Sequence, residues 1–384
     1  MNGARSGAAI ALAAALIVAA GCVPTPSPLP APPSRAPTVT TPSPTATEPA
    51  AADGRWRATD DVATLAAGLR APWSVVPLDD GGALISQRDD GAILELTVSG
   101  ELRAVGTVPG VVSGGESGLH GLALHRDGDR RLLYAYHGAA DDNRVVRMPL
   151  AGEPGSRSLG EPEVVFSGIP RAGTHNGGRI AFGPDGFLYV TTGDAQQREA
   201  AQDPAALGGK ILRLTPAGDP APGNPWDTAA WSIGHRNVQG IAWTASGELW
   251  ASEFGQNTWD ELNRIEPGSN YGWPVVEGVA GADGFADPVA QWPTAEASPS
   301  GIAIVGDTIF LAALRGQRLW QVDISDGAVA GQPVAAFTGG FGRLRDVVAV
   351  ADGALWVLTN NTDGRGDPRD GDDRLLRVAL APHG

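Results

Sequence analysis

The chain has 384 residues and carries 43 acidic against 28 basic side chains, a formal net charge of −15, which argues against a nucleic-acid-binding surface. Its single cysteine, Cys22, leaves no disulfide framework and no thiolate metal site or nucleophile. Glycine and tryptophan are abundant, at 53 and 11 residues, and no long stretch has a helical period, so the body reads as strand and turn.

The first element in chain order is an apolar run at residues 8–20, behind one early cation, Arg5. It is too short and too rich in alanine to anchor a spanning helix. It ends in Ala19-Ala20-Gly21-Cys22, small residues before a cysteine, which resembles a bacterial lipobox, where the cysteine is acylated and becomes the mature N-terminus. Residues 1–21 are therefore expected to be a lipoprotein signal peptide and Cys22 the lipidation site; an ordinary secretory signal is the alternative. Residues 22–54 are rich in Pro, Thr, Ala and Ser, bury nothing, and read as an extended, disordered tether. The expected location is extracytoplasmic, anchored to the cell membrane through an N-terminal lipid only.

From residue 55 to 384 the sequence repeats one unit: an apolar strand, an Asp-Gly-like turn, a second apolar strand, a polar loop, and a third strand flanked by Arg. The copies lie at 71–96, 121–147, 179–214, 240–265, 301–322 and 346–378. A period of roughly 45 to 62 residues means propeller blades or a solenoid, and short antiparallel strands joined by tight glycine turns favour blades. The prediction is an all-β fold, a six-bladed β-propeller with four-stranded antiparallel blades, rather than two stacked sandwiches.

In a propeller the inner strands all begin at one mouth of a central channel. In five units the residues just before that strand are the unusual ones: 116–120, 175–179, 235–239, 298–300 and 343–345. Their convergence predicts a polar site there. It would gather His175 and His235, Asp194 and Asp260, Arg236, Arg315, Arg343 and Arg345, and Trp292. His175 and Asp194 flank a predicted hairpin, whose rim can hold an imidazole against a carboxylate, a proton-abstracting device. Several arginines in an acidic protein call for a flat, polyanionic guest. No glycine-rich phosphate loop opens a helix, and no His/Cys cluster has zinc spacing. Glu116 reads equally as a loop anion or as an acceptor for a substrate hydroxyl. Arg213, Arg264, Arg374 and Arg377 read as solvated or as interblade ion pairs, His120 and His125 as packed, and Trp250, Trp320 and Trp356 as interblade core.

The ordered set His175–Asp194, Gly209-Lys-Ile-Leu-Arg-Leu, Gly234-His-Arg-Asn-Val-Gln-Gly240, Asp260-Glu-Leu-Asn, Asn270-Tyr-Gly-Trp-Pro274, Pro299-Ser-Gly, Leu314-Arg-Gly-Gln-Arg-Leu and Arg345-Asp-Val resembles the pyrroloquinoline quinone (PQQ)-dependent aldose sugar dehydrogenases, the glucose/sorbosone dehydrogenase family. The resemblance covers about residues 69–381. It implies a six-bladed propeller that oxidises the anomeric carbon of an aldose to a lactone by hydride transfer to PQQ. It implies that His175 is the base, that Asp194 orients it, and that Arg236 stands beside the quinone oxygens. Asn237, Asp260, Trp292, Arg315, Arg343 and Arg345 match cofactor-binding positions. The resemblance also implies Ca²⁺ beside PQQ, held in part by the backbone carbonyls of Gly255 and Gln256; many relatives carry Pro at the latter position. Partners would be an aldose and an external electron acceptor, a cytochrome, quinone or copper protein. The short segment between Trp273 and Pro299 suggests an open mouth and broad aldose use. The rival readings are a non-redox propeller binding a sugar or protein at the cell surface, and a calcium-dependent lactonase, whose side-chain ligand set is not assembled here.

Overall fold

The structure, a computed structural model, describes residues 54–384; the signal segment, Cys22 and the tether up to residue 53 lie outside the described residues. Six small antiparallel sheets follow one another around a ring. Blade 1 is built from Pro72–Pro77, Ala83–Gln87, Ala92–Leu96 and Leu102–Thr107. Blade 2 has Leu119–Asp127, Arg130–Gly138, Asn143–Ala151 and Glu163–Ile169, with the short Ser158–Leu159 beside it. Blade 3 has Ile180–Phe182, Leu188–Thr191, Ile211–Leu214 and Ala230–Ser232, and blade 4 has Val238–Trp243, Leu249–Glu253, Trp259–Ile265 and Ala290–Pro293. Blade 5 has Pro299–Val305, Thr308–Ala313 and Arg318–Ser325, flanked by Ala328–Val329 and Val334–Ala336. Blade 6 has Leu344–Ala349, Leu355–Thr359 and Leu375–His383.

The recurring Asp-Gly signals are the turns between inner and second strands. Leu78, Gly183, Thr244 and Val350 each donate their N–H to the carbonyl four positions on, and their own carbonyls accept from the N–H three positions on. In each turn the third residue after them is a glycine at positive φ: Gly81 at 84°, Gly186 at 78°, Gly247 at 88° and Gly353 at 78°. A side chain would strain that conformation, which is why glycine recurs at this place.

The second strands Ala83–Gln87, Leu249–Glu253, Thr308–Ala313 and Leu355–Thr359 are buried on both faces, because blades stack on both sides of them. Six apolar clusters fill the six gaps between neighbouring blades. Trp250 and Trp320 sit between blades 4 and 5 and Trp356 between blades 6 and 1, as the repeat suggested. The arginines in and beside the third strands form no ion pair between blades among the described residues, while Arg264 and Arg377 keep about a third of their side chains in solvent. Arg213, Arg264, Arg374 and Arg377 pair within their own blades, with Asp185, Glu248 and Glu266, Asp372, and Asp352.

The repeat did not reveal how the ring closes. Arg55–Ala66 supplies the fourth, outer strand of blade 6, pairing with Leu375–His383 from Arg55 opposite His383 to Ala66 opposite Leu375. This covers a sheet edge that would otherwise be open. The strand is also tied to blade 5: the Arg57 guanidinium binds Asp323 at 2.7 and 2.5 Å, and Trp56 N donates to Thr308 Oγ1 at 3.0 Å.

Candidate active site

A cavity of about 390 Å³ lies at the rim where the inner strands begin, within the usual size of a small-molecule site. Residues before five inner strands line it: Glu116, His175, Arg236, Ser298 and Arg343. The loops between second and third strands add Arg88, the 254–256 turn, Arg315 and Arg365.

His175 and Asp194 meet as the hairpin required. Asp194 Oδ1 accepts from His175 Nδ1 at 2.8 Å, and Asp194 Oδ2 accepts from Trp273 Nε1 at 2.8 Å. The Gln196 amide adds a bond of 2.8 Å to Oδ1. Burial pushes the Asp194 carboxyl up, but the bonds from His175, Gln196 and Trp273 outweigh it and hold it below the usual carboxylate range. An ionised Asp194 places the imidazole proton on Nδ1. That leaves Nε2 as the lone-pair nitrogen, and Arg236 donates to it at 2.9 Å. The backbone is bent to present the ring: His175 has φ 59°, with its N–H on Glu116 Oε2 at 2.7 Å and its carbonyl accepting from Ala195 at 3.1 Å.

Charge in the cavity is unbalanced. Six arginines line it, Arg88, Arg236, Arg315, Arg343, Arg345 and Arg365, against the carboxylates of Glu116 and Asp260. Asp363 takes part of this charge, lying 2.9 Å from Arg343 and 3.7 Å from Arg345. Burial nevertheless drags Arg345 down to about 9, with Asp363 offsetting only part. Glu116 is held below the ordinary carboxylate range, since the Arg365 pair at 2.6 Å and the His175 N–H outweigh burial. Asp260 goes the other way, up to about 6, because burial outweighs the N–H groups of Ser298 and Gly255 and the charge of Arg236. Buried donors without partners remain at Arg236 Nε, Asn237 Nδ2 and Arg343 Nε. Such donors call for an acceptor-rich, anionic guest.

Most of the residues read from the sequence line the cavity, and four do not. Trp292 does not line the cavity; it is 4% exposed and packs on Trp320 in the core between blades 4 and 5, because its strand position faces the neighbouring blade. His235 is fully buried between Ser232 and Glu253 and stacks on Tyr271. Asn237 lies behind the wall, its Oδ1 accepting from Gly177 at 3.0 Å. Asp194 likewise works from behind, through His175. The sequence reading missed Trp73, Arg88, Phe254 and Arg365 on the wall, and Trp273 behind it. Arg365 lies in a blade 6 loop outside the repeat, and only its high density of charge marked it.

One buried cation supports the loop behind the pair. Lys210 Nζ donates to the carbonyls of Ala200, Ala201 and Gly208 at 2.7, 3.0 and 2.8 Å. Burial lowers Lys210 to about 7, with Asp203 opposing weakly. The unfolded chain then binds more protons than the folded one between about pH 7 and the unfolded Lys value, so this group's contribution to stability rises with pH across that window. Denaturant titrations should show the unaltered chain gaining on Lys210→Met by about 1 kcal/mol per pH unit from pH 7 to 9. A gap independent of pH would refute this.

Propeller, imidazole–carboxylate pair and arginine-rich cavity together define the class of sugar-oxidising propeller dehydrogenases. The chain belongs to the glucose/sorbosone dehydrogenase family, whose model matches residues 69–377. Among solved structures it is similar to the PQQ-bound aldose sugar dehydrogenase of Streptomyces coelicolor, at 50% identity and a TM-score of 0.81, covering 87% of this chain and all of that one. It is 29% identical to aldose sugar dehydrogenase YliI of Escherichia coli, over 80% of this chain and 92% of the relative. It is 29% identical to quinoprotein glucose dehydrogenase B of Acinetobacter calcoaceticus, over 59% of this chain and 55% of that protein.

Proposed function

We propose that this protein is a PQQ-dependent aldose dehydrogenase that oxidises the anomeric carbon of aldoses to lactones and passes the electrons to an external acceptor. The observation that carries the reading is the His175 Nε2 lone pair, fixed by Asp194 and facing an arginine-lined cavity. The arginines of the wall, Arg236 and Arg343 among them with a donor left unpartnered, suit the three carboxylates and the carbonyl oxygens of PQQ, and the 50% identical Streptomyces protein was solved with PQQ bound. Arg343 and Arg345 would hold carboxylates, with Arg315 and Arg236 on the remaining oxygens. The Gly255 and Gln256 carbonyls suit Ca²⁺, which favours such oxygen ligands.

When bound, PQQ supplies an ortho-quinone able to accept two electrons as hydride. The protein's own share is proton removal and charge control. His175 Nε2 takes the proton of the anomeric hydroxyl, and Asp194 stabilises the imidazolium that results. The Arg236 guanidinium, which donates to Nε2 here, would turn from that nitrogen to the quinone oxygens, freeing the lone pair and offering positive charge where negative charge grows. Glu116, on the wall beside His175, accepts from a sugar hydroxyl. The shortness of the segment between Trp273 and Pro299 would leave the mouth open and favour broad aldose use. The lipobox-like Ala19-Ala20-Gly21-Cys22 supports an extracytoplasmic, lipid-anchored location.

The test is reconstitution with PQQ and Ca²⁺ followed by dye reduction with several aldoses. Reduction with at least one is expected; none with any sugar, from folded protein, would overturn the reading.

A further inference from the structure

The 254–259 loop joins the second and third strands of blade 4, and its amides converge on a single carboxylate. Glu277 comes from the connection between the third and fourth strands of the same blade. Its Oε1 receives the N–H groups of Gln256 at 2.7 Å and of Asn257, Thr258 and Trp259 at 3.2 Å each. A trans peptide points its carbonyl opposite to its N–H. The N–H of Gln256 shares a peptide unit with the carbonyl of Gly255, and that of Asn257 with the carbonyl of Gln256. Glu277 therefore turns both carbonyls away from itself, two in succession on one side, which the alternation of a strand does not give. Both residues line the cavity, and neither carbonyl accepts a hydrogen bond from any described residue.

The rest of the loop supports this geometry. The Gly255 amide is held by Asp260 Oδ1 at 2.9 Å. A Cβ at Gly255 would lie 1.7 Å from the Trp259 carbonyl oxygen, so the turn closes only on glycine there. Position 256 is a residue with an N–H, and that N–H makes the shortest of the four bonds to Glu277. A proline at 256 could not make it.

We propose that Glu277 is the positioning residue for the cation site: its carboxylate gathers the amides of residues 256–259 and thereby presents the Gly255 and Gln256 carbonyls together as ligands for a divalent cation. The inference rests on the calcium reading above and goes beyond it by assigning the group that builds the ligand pair. Glu277 acts through the loop and does not itself touch the cation. Its negative charge adds attraction from behind the peptide units.

The experiment titrates CaCl₂ calorimetrically into the chelator-stripped full chain, with and without saturating PQQ. It compares the unaltered protein with Glu277→Ala and Glu277→Gln, each also melted in chelator. Calcium affinity should fall about tenfold or more in Glu277→Ala. The fall should be smaller in Glu277→Gln, which keeps one acceptor oxygen. Calcium should also raise the melting temperature of the unaltered chain more than that of either variant. A Glu277→Ala that melts lower in chelator yet binds calcium as the unaltered chain does would overturn the proposal, leaving Glu277 a structural residue. If Glu277→Ala does not fold, unchanged affinity in Glu277→Gln has the same force. Calcium failing to bind the unaltered chain would remove the calcium reading itself, and this inference with it.

Discussion

His175→Ala is expected to lower turnover by about 10²- to 10⁴-fold, the range for loss of a positioned base. PQQ affinity should stay within about threefold, an allowance set by the small net worth of one hydrogen bond. The expectation follows from where His175 stands. Asp194 holds its Nδ1, which leaves Nε2, beside Arg236, as the lone-pair nitrogen in the cavity, and alanine supplies nothing in its place. The cofactor's expected anchors lie elsewhere: Arg343 and Arg345 precede the inner strand of blade 6, and Arg236 keeps its bond of 3.1 Å to the Phe254 carbonyl. Calorimetry with PQQ and stopped-flow dye reduction on one preparation separate the two effects. Retained turnover would remove His175 as the base; lost PQQ binding would make it a cofactor anchor instead.

Asp194→Asn should cost about as much turnover, roughly 10²- to 10⁴-fold by comparison with other carboxylates that hold a catalytic imidazole. Asp194 accepts on both oxygens: Oδ1 from His175 Nδ1 and the Gln196 amide, Oδ2 from the Trp273 indole. An asparagine has one acceptor oxygen. With that oxygen toward His175, its amide N–H groups face the indole N–H. With the amide reversed, N–H groups face His175, forcing the proton to Nε2, where Arg236 also donates. A double-mutant cycle follows. Trp273→Phe removes the indole donor, so it should do less damage in the Asp194→Asn background than in the unaltered chain. Strictly additive losses would show that the two side chains act independently.

The fold was legible because the blade repeats its turn chemistry. Each Asp-Gly or Gly signal marks a place where the chain needs a positive φ, and the apolar run after it is a second strand buried on both faces. Arg55–Ala66 was not legible, since it has no turn partner and pairs with a strand at the other end of the chain. The site was legible where it lies before inner strands, because propeller geometry sends those residues to one rim. The same rule could not separate wall from backing. His235 and Asn237 sit in the right segment yet are buried behind it, and Trp292 follows its strand's other face into the core. Trp273 and Glu277 act across long sequence separations on Asp194 and on the 254–259 loop, contacts that no local pattern encodes. Arg365 reaches Glu116 from blade 6, across the position of blade 1.

The central claim is that the arginine-lined cavity of this chain holds PQQ beside calcium, and calorimetric titration of PQQ into the calcium-loaded protein tests it most directly. The account predicts tight, one-to-one binding that weakens when calcium is chelated. Absence of binding by folded, calcium-supplied protein would contradict it.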